Sequence, residues 1–144
     1  AITLIDDVES VQRQFTRQIQ AVSHLSYSER LKVCGLELLE LRRLKRDLTL
    51  VFKMRNAMVD LSFADFFDYA PDRGTRGHSA KLYPKLARTN RAASVFSSRV
   101  VNVWNSLSDD IVRSRNLCTF KRKLDMFDLD LRPFLKGRAS RDLQ

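Results

Sequence analysis

The chain has 144 residues, 44% hydrophobic and 30% charged, with four glycines, three prolines and two cysteines. That balance excludes collagen-like, loop-rich and wholly disordered classes and fits one helical domain. Of the net charge of +9, none comes from the first half: residues 1–72 carry 10 basic and 11 acidic side chains, residues 73–144 carry 16 and 6, an asymmetry that points to a polyanionic partner, nucleic acid before an acidic membrane face.

In chain order, Leu4, Val8, Val11, Phe15, Ile19 and Val22 recur at helical spacing and predict an amphipathic helix whose apolar stripe enters the core. Ser26-Tyr27-Ser28-Glu29 matches a capping box, so a short helix is expected to start near Tyr27 and to close at Gly35. Leu38, Leu41, Leu44, Leu48, Val51 and Phe52 predict a third helix. Its basic flank of Arg42, Arg43, Lys45, Arg46, Lys53 and Arg55 is explained in part by the helix dipole. The apolar run Leu61–Tyr69 predicts a further short helix, ended by Pro71.

No acidic residue occurs from Arg73 to Ser108, and residues 71–92, punctuated by Gly74, Gly77 and Pro84, predict an irregular or short-stranded connection. Phe96, Val100, Val103, Trp104 and Leu107 restore helical spacing, and Ser108-Asp109-Asp110 can start a single turn. Leu117, Phe120, Leu124 and Phe127, capped by Asn116, mark the last helix. The pattern fades beyond Asp128, and Arg132-Pro133 disfavours further helix.

Catalytic constellations are missing from this reading. His24, His78, Cys34 and Cys118 supply metal-ligating atoms but no closely spaced pair that would fix half of a zinc site, so neither metal nor cofactor is expected. Two cysteines so far apart also argue against a secreted disulfide scaffold and for a reducing compartment. Arg73-Gly74-Thr75-Arg76-Gly77-His78 has the small residues and cations of an anion-binding turn without the Gly-Lys-Ser/Thr ending of a nucleotide loop. Phe63-Ala64-Asp65-Phe66 lacks the second carboxylate that a two-metal polymerase turn requires. Cations between residues 73 and 123 can hold phosphates without reading sequence, and Tyr83 can stack on an unpaired base.

The order of motifs resembles a known family. Val8-Glu9-Ser10-Val11-Gln12-Arg13-Gln14-Phe15-Thr16-Arg17, Leu25-Ser26-Tyr27-Ser28-Glu29-Arg30-Leu31 and Leu41-Arg42-Arg43-Leu44-Lys45-Arg46-Asp47-Leu48 resemble the region that follows the polymerase palm in LINE-type, non-LTR retrotransposon reverse transcriptases. Thr75-Arg76-Gly77-His78-Ser79, Asn90-Arg91, Phe96-Ser97-Ser98-Arg99-Val100-Val101-Asn102-Val103-Trp104-Asn105-Ser106-Leu107 and Thr119-Phe120-Lys121 are similar to the closing part of the same polyproteins. The resemblance implies a thumb and post-thumb segment of an RNA-directed DNA polymerase, non-catalytic by itself, that works at chromosomal targets in the nucleus.

Together these readings predict an all-α fold, an irregular bundle of about five or six helices with a long basic connecting loop. Residues 1–128 are expected to form one nucleic-acid-binding domain, made of a near-neutral helical half (1–70), a basic loop (71–92) and a basic helical half (93–128), with 129–144 as a polar tail. The expected contacts to RNA, DNA or their hybrid are Arg73, Arg76, His78, Lys81, Tyr83, Lys85, Arg88, Arg91, Arg99, Lys121, Arg122 and Lys123. No membrane is expected as partner. The competing reading is a helical interaction module that docks an acidic protein or the rest of its own polyprotein.

Overall fold

The computed structural model describes residues 2–71, 74, 77–85 and 91–129. They group into two compact units, one running to Arg43 and the other spanning Leu44–Leu129. The fold is predominantly helical. It is not purely so, because the segment expected as a helix over 61–69 makes one helical turn and then turns into a strand of a two-stranded sheet.

The first unit opens with α1 (Ile2–Gln18) and a single 3-10 turn (Gln20–Val22), followed by α2 (Tyr27–Cys34). Ser26 caps α2 as its sequence predicts: its hydroxyl accepts from the Glu29 amide and the Glu29 carboxylate accepts from the Ser26 amide at 2.9 Å. Those hydrogen bonds, the hydroxyl's first, hold the Glu29 carboxyl below its ordinary pKa. Gly35 closes the helix in the left-handed region, φ 64°, where a side chain would be strained, and the Leu36 amide reaches back to the Leu31 carbonyl at 2.8 Å.

One expectation is reversed in α1. Val8, Val11 and Phe15 are 57%, 66% and 64% exposed, whereas Glu9 and Thr16 on the adjoining face are 2% and 0% exposed. These three residues therefore do not join a core; of the rest of the predicted stripe Val22 is buried, Ile19 is exposed and the side chain of Leu4 lies outside the described residues. Polar pairing explains the orientation. One oxygen of Glu9 accepts from the Tyr27 hydroxyl at 2.5 Å and the other from the Leu39 amide at 3.0 Å, an orphan donor at the start of the next helix. Arg30 donates to the Thr16 hydroxyl at 3.3 Å and to the Leu25 carbonyl at 2.6 Å. Arg13 and Arg30 lie over the Tyr27 ring, 5.0 and 5.6 Å from its centroid.

The helix α3 (Leu39–Arg55) begins in the first unit and continues into the second. Its end shows how a non-glycine residue can serve as a left-handed cap: Ala57 has φ 52°, and the Met58 amide donates to the Lys53 carbonyl at 2.8 Å. Next come α4 (Phe63–Phe66), β1 (Phe67–Tyr69), β2 (Leu82–Pro84), α5 (Arg91–Ser106), α6 (Asp109–Val112) and α7 (Leu117–Met126). The strands pair antiparallel, Phe67 opposite Pro84 and Tyr69 opposite Leu82.

The core of this second unit follows the predicted stripes. Leu48, Val51 and Phe52 of α3, Val100, Val103, Trp104 and Leu107 of α5, and Phe120 and Leu124 of α7 are all buried. Phe52 stacks on Phe120 with centroids 4.3 Å apart, and Phe96 meets Phe66 and Phe67 edge to face. Asn105 fastens the sheet to α5: its carboxamide oxygen accepts from the Leu82 amide at 2.8 Å and its nitrogen donates to the Leu82 carbonyl at 3.0 Å, replacing the ladder partner that an edge residue lacks.

Candidate functional site

Three of the predicted contacts, Arg73, Arg76 and Arg88, lie outside the described residues, as does the side chain of Arg91, whose backbone starts α5. The remaining eight fall into distinct environments. His78 is a core residue, 2% exposed, with Nε2 donating to the Trp104 carbonyl at 2.9 Å. Trp104 in turn donates its indole N–H to the Ala80 carbonyl at 3.0 Å, so both rings pin the sheet connection onto α5. Burial removes His78 from any phosphate-contacting surface; the turn that contains it suggested otherwise because small residues and cations surround it.

Three expected cations are engaged by carboxylates. Arg99 donates through Nε and Nη2 to Asp47 of α3 at 3.0 and 2.5 Å, with side-chain exposures of 19% and 15% for the pair. Lys85 reaches Asp68 at 3.2 Å and the Ala64 carbonyl at 2.7 Å, and Lys123 reaches Asp110 at 2.6 Å. Their positive charge is largely offset where it stands. Lys81 is half-buried near Gly77, and Tyr83 stands 52% exposed on β2.

Lys121 and Arg122 are exposed, and neither pairs with a carboxylate among the described residues. Lys121 lies on the rim of an open groove of about 410 Å³ between α3 and α7. Lys45, Arg46, Thr49, Leu50 and Lys53 line it from α3, and Lys121, Leu124 and Asp125 from α7. Lys45 is neutralised by Asp125 at 2.9 Å, while Arg46, Lys53 and Lys121 have no carboxylate among the described residues. The result is a trough that has Leu50 and Leu124 among its lining and three cations without a carboxylate among the described residues.

Arg46 and Lys53 are the site residues that sequence reasoning missed as contacts. Their signal was present: both stand on the basic flank of α3, seven residues apart and hence on one helical face. What the flank could not reveal was that α7 lies alongside and adds Lys121. Among the described residues no group of three His, Cys, Asp or Glu side chains is placed to hold a metal ion, Cys34 and Cys118 are free thiols, and no helix is long and apolar enough to cross a membrane.

No protein-family model, curated protein or solved structure matches the chain.

Proposed function

We propose that the chain is a non-catalytic segment that follows the polymerase palm of a non-LTR retrotransposon reverse transcriptase and holds template and primer by their phosphate backbones. On this reading it works in the nucleus beside the rest of its polyprotein, and its helices form an irregular bundle whose cationic side faces the strand. The observation that carries the reading is the groove between α3 and α7, where Arg46, Lys53 and Lys121 surround Leu50 and Leu124. Such cations displace the counterions condensed on a phosphate backbone, and this favours RNA, DNA and their hybrid without reading sequence. Leu50 and Leu124 offer apolar contact to the sugars and base faces of a strand lying along the groove. The colinear series of motifs from Val8 to Lys121 supplies the link to reverse transcriptases.

A filter-binding titration with single-stranded RNA, single-stranded DNA and a hybrid duplex tests the binding. Neutralising about four to six phosphates gives a slope of log affinity against log salt of roughly −3 to −5. A slope near zero refutes the assignment. Membership of the polymerase is tested separately by the upstream reading frame, which should encode a palm with paired aspartates.

A further inference from the structure

Among the described residues the groove between α3 and α7 is lined by four cations and a single carboxylate, that of Asp125. The carboxylate stands where its helix does not favour one. Asp125 is the last residue but one of α7, at the end where backbone carbonyls lack helical partners and the macrodipole favours a cation. Burial does not force it there either, since its side chain is 64% exposed, and an ion pair so open to water adds little to stability. Its effect is to occupy Lys45. The two charges meet at 2.9 Å, and the lysine side chain, 14% exposed, lines the same groove. Lys121 stands four residues before Asp125, on the same face of α7. An anion that takes the place of the carboxylate therefore lies beside both lysines.

We propose that Asp125 is a built-in substitute for a backbone phosphate: its carboxylate holds Lys45 in the free chain, and a phosphate of a bound strand displaces it. This role rests on the nucleic-acid reading of the groove and adds to it a selection for strands over single phosphates. A carboxylate fixed on α7 competes at high effective concentration, so a lone phosphate or a mononucleotide does not dislodge it. A strand does, because Arg46, Lys53 and Lys121 hold its neighbouring phosphates at the same time. Lys45 keeps a charge-assisted contact before and after the exchange. The exchange has a salt signature. The strand sheds a counterion at Lys45 while the released Asp125 gathers one, so Lys45 adds almost nothing to the salt dependence until Asp125 is removed.

Binding of single-stranded polyuridylate, followed by fluorescence anisotropy across a salt series, tests the exchange, with circular dichroism as the check on folding. Asp125→Asn, nearly isosteric at an exposed position, should tighten binding several-fold at low salt and steepen the slope of log affinity against log salt by about 0.7, the share of one phosphate on a single strand. Adding Lys45→Gln to Asp125→Asn should return the slope to that of the unaltered chain. Asp109→Asn makes the same change of charge outside the groove, at a carboxylate paired with Arg113 at 3.0 Å, and should leave the slope as it was. Uridine monophosphate should compete with the strand for Asp125→Asn at several-fold lower concentration than for the unaltered chain. The proposal is overturned if Asp125→Asn keeps the original slope, if Asp109→Asn matches its effect, if the steeper slope survives the loss of Lys45, or if the mononucleotide competes equally with both. A slope near zero in the unaltered chain, by contrast, removes the nucleic-acid reading itself and this role with it.

Discussion

Replacing Glu9 by Ala should destabilise the first unit far more than replacing Phe15 by Ala, the reverse of what their polarity suggests. Glu9 is 2% exposed and accepts from the Tyr27 hydroxyl at 2.5 Å and the Leu39 amide at 3.0 Å. Hydrogen bonds to a charged acceptor contribute about 1.5–3 kcal/mol each. Tyr27 is half-buried and regains water in part, so about 3 kcal/mol is the expected cost of Glu9→Ala. A buried Phe→Ala change costs about 3–5 kcal/mol. Phe15 is 64% exposed, and the higher helix propensity of Ala offsets part of the loss, which leaves about 1 kcal/mol or less. Urea unfolding followed by far-UV circular dichroism reads both values by linear extrapolation. Should Phe15→Ala prove the costlier change, the placement of α1 fails.

Three further outcomes are expected. Ala57→Gly should stabilise the protein by about 0.5–1 kcal/mol, since Gly takes the 52° φ of this cap without Cβ strain, and a raised thermal midpoint would report it. Asp47→Ala should cost about 2 kcal/mol by leaving the half-buried Arg99 guanidinium without its carboxylate, and a double-mutant cycle with Arg99→Ala should recover a coupling of about 1–2 kcal/mol. Burial first, and then the hydrogen bond to Glu9, push the Tyr27 phenol up to about 12. The folded chain thus holds that proton more tightly than the unfolded one, so the stability involved is complete below pH 10 and is lost as pH rises towards 12; Tyr27→Phe should remove this part of the alkaline transition in a pH titration of unfolding.

Local chemistry was the legible part of the fold. The Ser26 capping box, the left-handed Gly35, the Asn116 cap and the stripes through Leu48, Trp104 and Phe120 all act within a turn or two of sequence, and each appears where its residues direct it. The departures arise from partners distant in sequence. Glu9 is drawn inward by Tyr27 and Leu39, 18 and 30 residues away, a pairing that outweighs the apolar stripe of α1. Phe67 leaves the helical turn because β2 is there to pair with it, and Asn105 holds that strand from a helix 23 residues on. The same holds for the candidate site. A count of lysines and arginines treated Arg99 as free surface charge, but Asp47, 52 residues earlier, claims it. Conversely, Arg46 and Lys53 read as no more than the basic flank of α3 until Lys121 stands across the groove from them.

The central claim, that the cations between α3 and α7 hold a phosphate backbone, is tested most directly by the salt dependence of nucleic-acid binding in the triple variant Arg46→Gln/Lys53→Gln/Lys121→Gln. With the fold retained, three lost contacts should weaken binding and flatten the slope of log affinity against log salt by about 2. A slope identical to that of the unaltered chain would contradict the claim and place the binding elsewhere.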